Sequence, residues 1–316
     1  MTGSDKTITE IENMILKQLE KDIRTLHSLS KNPKVAAALA GTNSDSYNDN
    51  SNNNLSHSSA MKETSDRMLK YLIRKMTRDF PSIASTSYKL LEVPESLSQH
   101  LSPAFYLAPP IDDLDNNVIF LNNSCCINNE NLFITLAHEG FPGHLYQTTY
   151  FAEKSPSLIR YIIDIGGYSE GWATYSELYA YNYLYKDTSI KKAMICNSRY
   201  SLSLYCLADI GINYHSWTLN DTIDFFKKYS IDDTKIINNI YDSMIATPAN
   251  YLQYYVGYLE FLELKNYMKN KLGASYSPLV FHTFVLESGP APFNILKKLL
   301  ITETDTLTSG LHSVAK

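Results

Sequence analysis

The stretch Leu132-Phe-Ile-Thr-Leu-Ala-His138-Glu139-Gly-Phe-Pro-Gly-His144 constrains this chain more than any other. It carries an apolar helical pattern into a His-Glu pair and sets a second histidine six positions after the first. In the common H-E-x-x-H arrangement the histidines are four apart, about 400° around a helix, so both imidazoles share a face and can meet one metal ion. A spacing of six is about 600°, which in an ideal helix turns the second ring roughly 120° away from the first. Pro142 and Gly143 stand inside that interval. Proline removes the N–H that would bond back to His138, and glycine admits backbone conformations closed to other residues. A bulge or widened turn is therefore expected to bring His144 back to the face of His138.

A zinc ion bound by two histidines needs a third protein ligand and leaves its fourth position to water. Glu170, in Gly166-Gly-Tyr-Ser-Glu170-Gly-Trp-Ala-Thr-Tyr-Ser-Glu177, is the best candidate, with Asp164 as a weaker alternative. The interval after His144 lets one helix end and a second return beside it. Glu177 follows two turns further on nearly the same face, where it can orient a ligand from behind. Glu139 fits a general base that takes a proton from water and delivers it to a leaving amine. Tyr251, Tyr254 and Tyr258 fall at helical spacing, and a phenol from that stripe could stabilise a developing oxyanion; core packing is the plainer reading of such a stripe.

The rest of the chain reads as mainly α, with a small β-sheet preceding the active-site helix. Apolar residues from Ile8 to Leu29 recur at three and four, marking an amphipathic helix. Residues 41–60 are almost wholly Asn, Ser and Asp, which cannot offset their ordering entropy, so a linker is expected there. This divides the chain into an N-terminal helical segment, 1–40, a disordered linker, 41–60, and a metallopeptidase-like domain, 61–316. A helix is expected over Ser65–Asp79, then strands at SYKLLEV and NVIFLNN joined by a Pro-rich loop around Pro103, Pro109 and Pro110. Further helices are expected over Leu132–Gln147, Glu170–Tyr185, Ile190–Leu207, Leu219–Tyr229, Asp233–Ala246, Asn250–Lys271 and Pro278–Glu287. The net charge of -5 and the lack of a dense Lys/Arg run argue against nucleic acid as a partner. Cys125, Cys126, Cys196 and Cys206 match neither a zinc nor a disulfide pattern and read as reduced thiols. No segment approaches the roughly 20 apolar residues that span a bilayer. As the sequence stands, with no signal peptide, it reads as cytoplasmic; export is expected should the true N-terminus lie upstream.

Several motifs together resemble the DUF885 family, a group of predicted zinc metallopeptidases placed with the gluzincin-type peptidases. They are SPAFYLAPPIDD from Ser102, LAHEGFPGHLYQ from Leu136, GYSEGWATYSE from Gly167, the Asp209-Ile-Gly211 element leading to Trp217, Pro248 with Tyr254 and Gly257, and FHTFVLESGPAP from Phe281. Order and spacing agree over about residues 65–300. The resemblance implies His138, His144 and Glu170 as ligands of one Zn2+ ion, Glu139 as catalytic base and Tyr254 as transition-state stabiliser. Many relatives carry a histidine four residues after the aspartate of the D-x-G element. Here Asn213 stands in that place and His215 lies two beyond, so Asp209 and His215 are carried as candidates for supporting or substrate contacts. His215 and His282 read first as structural histidines, and Trp172 and Trp217 as core. The implied activity is hydrolysis of small or unfolded peptides. Relatives are usually longer at the N-terminus, so the alternative is a shortened, inactive binding protein that keeps the metal site. In either case a separate chain or missing N-terminal region could complete the cleft.

Overall fold

The computed structural model describes residues 1–41, 57–84, 86–125, 127–163 and 165–314. Helix α1, Ile8–Leu29, starts at Thr7, whose hydroxyl caps the Glu10 amide while the Glu10 carboxylate returns to the Thr7 amide. It is followed by α2, Pro33–Leu39, capped by Asn32, and α3, His57–Met76. The predicted linker falls outside the described residues over 42–56, and 57–60 already belong to α3.

The sheet consists of β1, Tyr88–Glu92, β2, Ala104–Leu107, and β3, Asn117–Leu121, in the order β1-β3-β2. β1 runs parallel to β3, and β2 antiparallel to it. β1 and β3 are the two expected strands. β2 lies where a Pro-rich loop was expected: the prolines flank Ala104–Leu107 and leave four residues free to pair, which makes β2 an edge strand.

Helices make up the remainder: α4, Asn129–Glu139; α5, His144–Glu153; α6, Ile159–Ile162; α7, Gly166–Leu184; α8, Thr188–Asn213; α9, Leu219–Lys227; α10, Thr234–Ala246; α11, Asn250–Leu272; α12, Pro278–Ser288; and α13, Phe293–Val314. The fold is mainly α with one small sheet, as the periodicities imply. Three helices, α2, the short α6 and α13, were not expected, and the single helix expected over Leu132–Gln147 is two helices.

Helix α7 is the centre of the molecule, with Tyr168 and Trp172 fully buried on it. It packs against α11 at unusually short range. A Cβ added at Gly171 would meet Gly257 Cα at 2.6 Å, and one added at Gly257 would meet Gly167 O at 2.0 Å. Only glycines allow the two backbones so close. On the other side α7 meets α4, while α1 and α2 lie along α8. There Arg199 reaches the fully buried Asp22 with a two-point ion pair. One continuous apolar core runs from Ile11 on α1 to Leu300 on α13. Cys125, Cys196 and Cys206 are free thiols, and Cys126 lies outside the described residues. Among the described residues no helix is long and apolar enough to cross a membrane.

Candidate metal centre

The chain solves the spacing problem of His138 and His144 with a break. Helix α4 ends on Glu139, Gly140 takes a non-helical conformation, the Phe141-Pro142 peptide is cis, and α5 begins afresh on His144. The expected bulge within one helix is thus a complete interruption, because Pro142 can neither donate to the ladder nor sit inside it. The break is tight enough to require glycine: a Cβ on Gly143 would lie 1.7 Å from His138 O. Two side chains of α7, one turn apart, hold it in place. Trp172 Nε1 donates to Pro142 O at 2.9 Å, and Ser176 Oγ donates to the same oxygen at 3.2 Å. The result is that the imidazoles of His138 and His144 face each other edge to face, 4.9 Å between centroids.

The first turn of α7 brings Glu170 between them. Its Oε2 lies 3.5 Å from His138 Nε2 and 3.3 Å from His144 Nε2. These three ligand atoms all fall within 4.8 Å of one another, and among the described residues no other group of His, Cys, Asp and Glu side chains is so placed. Glu177, two turns along α7, approaches His138 Nδ1 with Oε2 at 3.1 Å. That contact keeps a proton on Nδ1, so Nε2 is the nitrogen that faces Glu170 and, once deprotonated, can ligate.

Charge is concentrated here. Burial would lower the His138 pKa, but the Glu170 and Glu177 carboxylates more than offset it and push the imidazole up to about 10. Burial would raise Glu170, yet the two imidazoles hold its carboxyl well below the usual carboxylate range. Glu170 Oε2 is nevertheless buried with no hydrogen-bond donor in acceptable geometry. An orphaned carboxylate oxygen facing two imidazole nitrogens is costly unless something bridges them. Two nitrogens and one oxygen at this separation are a donor set that fits a divalent ion such as zinc.

Glu139 stands beside the cluster and is not part of it. Its Oε2 accepts the Tyr106 amide of edge strand β2 at 2.8 Å. Tyr254, on α11, stacks on His138 at 5.9 Å between centroids with planes 18° apart. Burial first, then the charges of Glu170 and Glu139, raise its phenol pKa, so the hydroxyl stays protonated.

The other sequence candidates lie elsewhere. Asp209 is buried and accepts from Asn213 Nδ2 at 2.9 Å and from the Ala249 amide at 3.1 Å, tying α8 to the turn before α11. His215 pairs with Glu12 of α1 at 2.6 Å. His282 is fully buried between Tyr175 and the Asp79 carbonyl. Asp164 lies outside the described residues. Three contributors were missed: the Tyr106 amide, Trp172 as the donor to the break, and Ser176. The i, i+4 relation of Trp172 and Ser176 was available as a signal, whereas a backbone amide has no sequence signature.

Residues 1–300 match the family described as "Bacterial protein of unknown function (DUF885)". The match reaches ahead of the 65–300 over which the motifs align, so α1 and α2 lie within it. No curated protein matches the chain. Two solved structures share the fold. A protein of Colwellia psychrerythraea, provisionally called a lipoprotein, superposes with a TM-score of 0.78 at 19% identity, over 96% of this chain and 53% of its own. One from Shewanella oneidensis, likewise provisionally a lipoprotein and of unknown function, gives 0.69 at 17% identity, over 92% of this chain and 56% of its own. The chain thus spans about half the length of these relatives.

Proposed function

The chain belongs to the DUF885 family, and from that premise we propose that it is a zinc-dependent metallopeptidase acting on small or unfolded peptides. The observation that carries the proposal is the convergence of His138 Nε2, His144 Nε2 and Glu170 Oε2, with the carboxylate of Glu139, which is outside the ligand set, on the residue next to the first ligand. His138, His144 and Glu170 hold the ion. When bound there, zinc polarises a peptide carbonyl and makes water acidic enough to be deprotonated near neutral pH.

The protein's own groups do the rest. Glu139, fixed by the Tyr106 amide, accepts the proton of the attacking water and returns it to the leaving nitrogen. Tyr254 keeps its proton and stacks beside His138, where it can donate to the oxyanion that forms at the carbonyl. Glu177 keeps His138 in the tautomer that offers Nε2 to the ion. The ligand side chains are only 11–26% exposed, which suits a peptide able to reach into the site better than a folded surface.

Digestion of a peptide library by the zinc-loaded protein and by Glu139→Gln tests this reading. Cleavage by the native chain and its loss in the variant, with zinc retained in both, is the expected result. Equal cleavage by both proteins overturns the assignment of Glu139. Absence of cleavage by a native chain that binds zinc leaves a binding protein with an intact metal site.

A further inference from the structure

Helix α7 carries Glu170 close to its start, and that start has no side-chain cap, because the residue before it is Ile165. The first amides of a helix need acceptors from outside it. One of them comes from residues far away in sequence. Gly167 N donates to the carbonyl oxygen of Met1 at 2.9 Å, while Tyr168 N and Ser169 N close on Ile165 O at 2.7 and 3.1 Å. Residues 1–6, which precede α1, thus lie across the start of α7.

The approach is backbone to backbone. A Cβ at Gly167 would lie 1.9 Å from Thr2 O, and a Cβ at Gly257 of α11 would lie 2.0 Å from Gly167 O. Gly167 is therefore clamped between this segment and α11, three residues before Glu170. The segment is itself tied down. Gly3 turns it with φ 69°, and Gly3 O accepts from Phe293 N of α13 at 2.8 Å. Ser4 Oγ and Lys6 Nζ both donate to Glu260 Oε1 of α11, at 2.5 and 2.7 Å. Glu260 is buried and takes no part in the metal centre. A buried carboxylate is costly unless it is paired, and both of these partners come from the one segment.

We propose that residues 1–6 are a strap that positions Glu170 for the metal ion, with the Met1 carbonyl as the cap of α7 and Glu260 as the latch. The inference rests on Glu170 being a ligand. A ligand on an uncapped first turn frays with that turn, and the ion must then order the turn in order to bind. The strap orders it beforehand. Gly3 and Glu260 act only through Glu170 and are positioning residues.

Hydrogen–deuterium exchange of the metal-free full chain, paired with zinc affinity from chelator competition, tests the strap in the native protein, Gly3→Ala and Glu260→Ala. A methyl at Gly3 would lie 2.7 Å from Ile165 Cγ2 on a backbone that disfavours it, which lifts the strap. Glu260→Ala opens the latch instead and decides the matter should Gly3→Ala not fold. The amides of Gly167 to Glu170 are expected to be protected in the native protein. Either variant should speed their exchange and weaken zinc binding, each about tenfold, the effect of losing a helix cap. Exchange over Leu132–Ala137 of α4, which leads to the ligand His138, should stay as it is. Unprotected amides at 167–170 in the native protein, or no change there in either variant, overturn the strap. Native zinc affinity in a variant whose first turn exchanges faster overturns its positioning role, as does equal speeding over Leu132–Ala137, the mark of a general loss of stability. A native chain that takes up no zinc overturns the metal reading itself, and this inference with it.

Discussion

Glu177 Oε2 lies 3.1 Å from His138 Nδ1 while Glu170, two turns earlier on the same helix, lies 3.5 Å from His138 Nε2. One rigid helix thus grips both nitrogens of one imidazole. The ring is oriented before any ion arrives, so its ordering cost is met during folding.

Replacing Glu177 by Gln keeps the size and weakens that grip. Zinc affinity is expected to fall about 10–100-fold, the usual effect of losing a partner behind a histidine ligand. Competition with a chromophoric chelator measures it, and an unchanged affinity would show that His138 is oriented by something else.

Gly143→Ala places a methyl group 1.7 Å from His138 O, a contact that can be relieved only by moving backbone. A loss of about 3 kcal/mol of stability or more is expected, with loss of stoichiometric zinc because His144 moves with the turn. Denaturant unfolding of the metal-free protein and metal analysis report the two effects separately.

Trp172→Phe removes the indole N–H that holds Pro142 O and leaves that oxygen with Ser176 alone, at 3.2 Å. The lost bond costs about 1–2 kcal/mol and the smaller ring adds a cavity term. Stability should fall by about 2–4 kcal/mol in total, read by the shift in denaturant midpoint at constant slope.

The metal-free cluster has a defined pH response. His138 is raised from 6.5 to about 10, so its contribution to stability is fully present below pH 6.5 and is lost as pH rises through about 10. Glu170 is depressed below 4.5, so its contribution is present above pH 4.5 and is lost on acidification below the normal carboxylate range. Chelated protein should therefore be stabilised by this pair most fully between pH 4.5 and 6.5 and weaken toward pH 10. Zinc requires His138 without its Nε2 proton, so loading should release a proton and tighten with rising pH. Thermal unfolding of chelated and zinc-loaded protein across this range checks both; a flat difference would contradict them.

Most of the helical frame was legible because a single period governs it. Ile11, Ile15 and Leu19 repeat on one face, and α1 spans the residues that pattern marks, Ile8–Leu29. Glu170 and Glu177 could be placed together because seven residues make nearly two whole turns. The break between α4 and α5 was legible only as a need, since Pro142 and Gly143 say that the helix cannot continue and do not say where the chain goes. Its course is set by Trp172 and Ser176, which are distant in sequence. Strand β2 was hidden by the prolines around it, and the amide of Tyr106 that holds Glu139 has no side-chain signature. The roles entertained for Asp209 and His215 depended on which helix each would meet, which spacing does not encode.

The central claim is that His138, His144 and Glu170 share one ion. Zinc K-edge X-ray absorption on the loaded protein tests it most directly. The account predicts a single zinc with two imidazole nitrogens and carboxylate or water oxygens at about 2.0–2.2 Å, and no bound zinc in His144→Ala. A chain that takes up no zinc, or one whose zinc has thiolate sulfur at about 2.3 Å, would contradict it.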